Sequence, residues 1–250
     1  MGSARRVGAR REREKRDPRA TQQALLQAGA ALFSERGLDG VSIEDVADRA
    51  GVNKALISYH FGGKRALYVA ILEAHFGRMA ARLKKIEAEA EDARHALHDF
   101  LFAFLQMTRD EPGFPTLFLR EVLSTGIEPA VVPHIVEILG VSRRLAERGA
   151  REGLFRRVDP FLFHLGLVGS LVFFFSTEEA RQKAAAQRRL PFTMPAPPAF
   201  VRYLEDLTLR GLAPENRSSL PRGLAPENPS RRPRGPVPDH AKASRKGVRA

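Results

Sequence analysis

Asn53, Lys54, Ser58 and Tyr59 fall within one short window of the chain. They offer an amide, an ammonium and two hydroxyls, groups that suit base edges in a DNA groove and backbone phosphates. Just beyond them, Lys64-Arg65 places positive charge at the start of a helix, where the dipole is already positive. Broken local rules of this kind tend to mark functional sites, and a helix N-terminus with unpaired N–H groups plus Lys64 is a ready phosphate clamp. No comparable set exists for covalent chemistry. The chain has no Cys, which excludes disulfides, Cys-ligated metals and thiol nucleophiles. It also has no Gly-x-Ser-x-Gly, no P-loop and no dinucleotide glycine motif. Asp92, His95 and Asp99, with His98 beside them, share one helix face and are the one candidate metal cluster. They lack the His-Glu-x-x-His pattern, so an exposed helical face is the better reading. No catalytic residue, metal or cofactor is expected, and the chain is not read as an enzyme.

The elements that must position the polar window are short. Ser42 followed by Asp45 forms a capping box that starts a helix, with Ile43, Val46, Ala47 and Ala50 as its apolar face. Gly51 stops it. Asn53 is a good N-cap for a second helix, whose inner face is Leu56, Ile57 and His60 or Phe61, and Gly62-Gly63 ends it. Two short helices joined by a tight glycine turn make a helix-turn-helix. Ala47 lets the helices approach, Gly51 takes a left-handed turn, and Ile57 plugs the angle between them. An ordinary helical hairpin is the alternative, but its outer face would have no reason to carry these four polar residues.

Residues 18 to 76 resemble the N-terminal DNA-binding domain of the tetracycline-repressor (TetR) family. The resemblance is carried by Val41-Ser-Ile-Glu-Asp-Val-Ala, Ala50-Gly-Val-Asn-Lys and Ile57-Ser-Tyr-His-Phe-Gly-Gly-Lys-Arg-Ala-Leu. It implies that Ser42 touches backbone phosphate, that Asn53, Lys54, Ala55, Tyr59 and His60 face DNA, and that Lys64 contacts phosphate. The chain departs from the family where Ala55-Leu56 replaces a Gly and a small hydroxyl residue, and where Ser58 replaces an aromatic. Leu56 offers no hydrogen bond, only contact with a thymine methyl. The resemblance further implies a homodimer on a palindromic double-stranded operator, released by a small-molecule effector, with repression the commoner role. The last two core helices, about 159–177 and 199–210, would form the dimer interface.

Beyond the reading segment, periodicity and breakers predict helices at about Lys64–Glu89, His95–Thr108, Pro115–Leu123, Val131–Glu152, Asp159–Thr177 and Ala199–Arg210. No stretch alternates with period two, so an all-α protein is expected. The apolar stretch Phe161 to Phe175 carries His164 and Ser170. It is too short to cross a membrane and reads as a buried helix. The C-terminal half is rich in Phe, which fits either a plain core or an apolar pocket for a lipophilic or aromatic compound. Phe104, Met107, Phe118, Val122, His134, Phe163 and Leu167 are the candidate lining residues, with His134 and His164 the polar groups of interest.

Charge is concentrated at the ends. Of the surplus of twelve positive charges, residues 1–19 and 211–250 supply eleven, while residues 20–68 hold five basic and five acidic side chains. A neutral reading segment gives little non-specific attraction to DNA, so the basic N-terminal arm should supply it. Four regions are expected: a disordered basic arm (1–17), the DNA-binding domain (18–76), a helical regulatory and dimerisation domain (77–210), and a disordered Pro/Arg-rich tail (211–250). The tail duplicates Arg210-Gly-Leu-Ala-Pro-Glu-Asn216 at Arg222 to Asn228, a repeat too short for a solenoid. With no Cys and no apolar run after the basic N-terminus, a cytoplasmic protein without a signal peptide or membrane attachment is expected. An architectural DNA binder acting through its tails, a helical enzyme and a membrane-surface protein are the alternatives.

Overall fold

Asp17 opens the first helix, its carboxylate accepting the Arg19 N–H at 3.0 Å, with Pro18 at the first helical position where no N–H is needed. A computed structural model of the chain describes residues 17–123, 126–187 and 193–214. The expected N-terminal arm to residue 16, and the tail from 215 with the second copy of the repeat, lie outside the described residues. Ten helices and no strand occur among the described residues: α1 (Pro18–Arg36), α2 (Ile43–Ala50), α3 (Ala55–Phe61), α4 (Lys64–Glu89), α5 (Ala93–Asp110), α6 (Phe114–Leu123), α7 (Val132–Arg151), α8 (Pro160–Ser176), α9 (Glu178–Ala186) and α10 (Pro197–Leu212). The expected helices are all present, with ends displaced by one or two residues. The exception in number is α9, which buries no side chain. It has no apolar stripe for a periodicity reading to detect, and rests on helix-forming Ala with Glu178 and Glu179 in its first turn.

The long helix α4 is the spine. At its N-terminal end Leu67, Tyr68, Ile71 and Leu72 are buried with Leu25, Ala28, Leu32 and Phe33 of α1. Gly29 allows that close packing, since a Cβ there would lie 2.8 Å from Ile71 Cδ1. Further along, Met79, Ala80 and Leu83 bury in the same core as Ile138, Val141 and Leu145 of α7. Arg144 fixes the register of the pair, donating through Nε and Nη2 to both oxygens of Glu87 at 2.6 and 2.8 Å. Arg148 donates to the Ala90 and Glu91 carbonyls that close α4, and its partner Glu152 accepts the Ala93 N–H that opens α5. One side chain thereby satisfies groups that helix ends leave unpaired.

The apolar stretch in α8 is half buried within the single chain. Phe163, Leu167, Leu171, Phe174 and Phe175 face inward, whereas Phe161, Leu162, Leu165 and Phe173 are exposed. On α10, Val201 and Leu204 are buried while Tyr203 and Leu207 are exposed. No single helix among the described residues is long and apolar enough to cross a membrane.

Candidate nucleic-acid interface and effector cavity

The α2–α3 pair is locked by caps at each end. The Ser42 hydroxyl accepts the Asp45 N–H at 3.0 Å, while Asp45 Oδ2 accepts both the Ser42 N–H and the Ser42 hydroxyl at 2.8 and 2.7 Å. Those hydrogen bonds hold the Asp45 carboxyl below the usual range. Gly51 adopts φ 65° and ψ 36°, the left-handed conformation that a side chain would oppose. Val52 N–H closes the turn on the Ala47 carbonyl at 3.0 Å. Val46, Ala47 and Ile57 are fully or almost fully buried at the crossing, as expected. Asn53 caps α3 through its side chain, which accepts the Ala55 N–H at 2.9 Å.

This scaffold leaves one face of α3 in solvent. Asn53, Lys54, Ala55, Ser58 and Tyr59 are exposed, Tyr59 by 81%, and His60 is half-buried. The Tyr59 and His60 rings meet edge to face, 5.0 Å apart. Lys54 reaches back to α2, where its ammonium donates to Glu44 at 2.8 Å, which raises the Lys54 pKa and lowers that of Glu44. Ser42 is exposed, but its hydroxyl hydrogen already serves Asp45.

Lys64 differs from the expected free clamp. Its ammonium donates to the Leu38 and Val41 carbonyls, each at 3.0 Å, and so ties the start of α4 to the α1–α2 loop. Those carbonyls follow the end of α1 and precede α2, where no helix supplies them with N–H partners. The misplaced positive charge at the helix start is thus explained first by a strut, with one of three N–H donors left over. The Asp92, His95, Asp99 cluster also resolves structurally. Asp92 caps α5 by accepting the Arg94 and His95 N–H groups, His98 pairs with Glu205 of α10, and no group of three metal-binding side chains occurs among the described residues.

In the C-terminal half a narrow cavity of about 60 Å³ lies between α4, α5, α6, α7 and α8. Of the candidate lining residues Phe104, Met107 and Phe118 border it, together with Phe76, Phe114 and Phe175. The other four candidates do not. Phe163 and Leu167 are buried core residues, one position out of phase with His164, Val168, Leu171 and Val172, which do face the cavity. A step of one residue turns a helix face by roughly 100°, enough to exchange lining for packing. His134 is likewise one position before Ile135, a lining residue, and sits over Gly77 instead. Val122 lies beyond the cavity at the end of α6, 41% exposed.

Polar residues at the cavity are few: His75, Thr108, Glu111 and His164. His75 is buried and hydrogen-bonds Glu111, which also pairs with Arg78. Burial drives His75 below its ordinary pKa, with Glu111 offsetting part of the effect. Burial pushes the Glu111 carboxyl up, but the His75 hydrogen bond and the nearby charge of Arg78 outweigh it and leave the pKa lowered. Sequence reasoning misses both His75 and Glu111. His75 falls in the segment assigned to DNA binding, and Glu111 reads as the first residue of a Glu-Pro-Gly turn.

The short helix α6 joins cavity and reading segment. Phe114, Pro115 and Phe118 form cavity wall. On the same helix Arg120 donates to the Glu35 carbonyl near the end of α1 at 3.3 Å, and buried Glu121 accepts the Tyr68 hydroxyl of α4 at 2.7 Å.

Comparison with known proteins agrees with this arrangement. Residues 25–71 match the family model described as bacterial regulatory proteins, tetR family. The chain is 45% identical over 141 residues to the HTH-type transcriptional regulator Mb3439c of Mycobacterium bovis, covering 56% of this chain and 73% of that protein. It is 29% identical over 200 residues to the HTH-type transcriptional repressor NicS of Pseudomonas putida, covering 77% of this chain and 92% of that one. Its fold matches the fatty acid degradation regulator FadR from Bacillus halodurans with a TM-score of 0.65 at 17% identity, over 80% of this chain and 98% of that one. It also matches the TetR family regulator PfmR from Thermus thermophilus with a TM-score of 0.60 at 25% identity, over 76% of this chain and 99% of that one. With the locked α2–α3 pair and the all-helical body behind it, these matches establish that the chain belongs to the TetR family of helix-turn-helix transcriptional regulators.

Proposed function

We propose that this regulator binds a palindromic operator as a homodimer in the cytoplasm, acts as a repressor, and is released by a small lipophilic or aromatic effector. The observation that carries the proposal is the exposed face of α3 on a rigid scaffold: Asn53, Lys54, Ala55 and Tyr59 stand in solvent while Ile57 anchors the helix from behind. Tyr59 and Lys54 read the major groove, with His60 at its margin. Ser42 and Lys64 approach phosphate at the starts of α2 and α4, Lys64 with the one N–H that its strut leaves over. Basic residues 1–16 add sequence-independent attraction.

Two half-sites need two copies. The exposed apolar side chains of α8 and α10, Phe161, Leu162, Leu165, Phe173, Tyr203 and Leu207, form a surface of the kind that a second copy would cover. Repression follows the role printed for the relative from Pseudomonas putida. The cavity beside α6 is the effector site. At about 60 Å³ it is smaller than a typical ligand pocket, so an effector must push its walls apart, and α6 is the wall fastened to α1 and α4.

Selection of bound sites from random duplexes by the full-length protein tests this. Enrichment of one inverted repeat supports it. Uniform recovery of all sequences would make the protein an architectural binder.

A further inference from the structure

The chemistry of the cavity is one-sided. A carboxylate can only accept, so the His75 Nδ1 that meets Glu111 carries the hydrogen. Burial disfavours the charged ring, and the neutral ring with its hydrogen on Nδ1 has a lone pair at Nε2. His164 is less constrained. Its Nδ1 is 2.9 Å from the Ser142 hydroxyl, which is itself 3.2 Å from the Ile138 carbonyl oxygen. The one hydroxyl hydrogen goes either to the carbonyl or to Nδ1, so His164 Nε2 is an acceptor in the first tautomer and a donor in the second. Thr108 gives its hydroxyl hydrogen to the Leu105 carbonyl at 2.9 Å. Neither Nε2 has a hydrogen-bond partner among the described residues.

Apart from His164, the polar lining therefore consists of acceptors: the His75 nitrogen, the Thr108 oxygen and the Glu111 carboxylate. No Lys or Arg lines the cavity among the described residues, and the nearby Arg78 is engaged by Glu111. Around these groups the wall is Phe, Met, Ile, Leu, Val and Pro.

We propose that the cavity selects an uncharged, largely aromatic or alicyclic molecule carrying a hydroxyl or N–H donor, and that it rejects carboxylates. The proposal rests on the assignment of this cavity as the effector site. A donor gives the His75 lone pair a hydrogen-bond partner, which no described residue supplies. A carboxylate brings only further acceptors, and its charge would be desolvated beside Glu111 without a cation.

Three probes of one shape separate the possibilities: 2-naphthol, naphthalene and 2-naphthoate, titrated calorimetrically into the full-length protein at neutral pH. The naphthol should bind about tenfold tighter than naphthalene, the worth of roughly one good hydrogen bond, and the naphthoate at least about tenfold weaker than the naphthol. His75→Phe, checked for folding by circular dichroism, should bring the naphthol-to-naphthalene ratio toward one. Naphthol binding no better than naphthalene would overturn the donor rule and leave the cavity as an effector site. Naphthoate binding as well as naphthol would overturn the rejection of carboxylates. Failure of all three probes to bind would overturn the donor rule and the effector site together. The wild-type ratio alone decides the matter if the variant fails to fold.

Discussion

Replacing Tyr59 by Ala separates reading from folding. The side chain is 81% exposed and its one ring contact is edge-on to His60, so folding stability should stay within about 0.5 kcal/mol of wild type. At the operator the loss should be large. A base-edge contact is worth about 1–2 kcal/mol, and the proposed homodimer would make it twice. The sum of about 2–4 kcal/mol corresponds to a ~30-fold to ~1,000-fold rise in operator Kd. Tyr carries no charge, so affinity for scrambled DNA and its salt dependence should not change. Fluorescence anisotropy on operator and scrambled duplexes, with thermal denaturation of the same samples, gives all three readouts. Ile57→Ala is the opposite control. Ile57 is fully buried, so truncation should cost about 2–5 kcal/mol of stability and lower Tm. An operator Kd within threefold of wild type for Tyr59→Ala, at unchanged Tm, would refute the placement of α3 in the groove.

Deleting residues 1–16 should weaken binding to all duplexes alike and flatten the salt dependence; an unchanged slope in titrations at several salt concentrations would remove the arm from the binding mechanism. Leu165→Glu places charge on the exposed face of α8 and should yield monomers in size-exclusion chromatography, with loss of operator binding and little change in helicity. Gly149→Ala should destabilise although Ala is the better helix former by about 1 kcal/mol, because the new Cβ would lie 1.9 Å from the buried Phe155 ring; chemical denaturation should show a net loss of about 1–3 kcal/mol. His75 and His164 are both driven below the ordinary value of 6.5 by burial. The unfolded chain therefore takes up protons at a higher pH than the folded one, and stability should be full above pH 6.5 and fall as the pH drops below it. Exposed His95, raised by its hydrogen bond to Asp92, acts in the opposite sense but is screened by solvent. Tm measured from pH 8 to 5 should fall, and His164→Phe should make the curve flatter.

The helix-turn-helix is legible because its signals are local. The Ser42–Asp45 box, Gly51 and the buried trio of Val46, Ala47 and Ile57 each concern residues a few positions apart, and each is found as expected. Lys64 stands out for the right reason, a charge that opposes the helix dipole, but its carbonyl partners lie 23 and 26 residues earlier and cannot be read from its neighbours. The cavity is harder. Phe104, Met107 and Phe118 are where the sequence suggests, whereas Phe163 and Leu167 miss by one helical step, because composition identifies an apolar helix without its rotational phase. In α8 the hydropathy is high all round, so no moment distinguishes the side facing the cavity from the side left in solvent. His75 and Glu111 meet across 36 residues, and only the packing of α4 against the α5–α6 turn brings them together.

Helix α6 spans ten residues, less than three turns, and has cavity wall along one side and two fastenings along the other. Such a short rod has almost no give along its axis. Anything that wedges between Phe114 and Phe118 and the opposite wall must roll or slide α6 as a unit, and Arg120 and Glu121 travel with it. Their grips on Glu35 and Tyr68 would turn that travel into a pull on the root of the DNA-reading segment. A substitution that slackens either grip should leave effector uptake intact while disconnecting it from operator release.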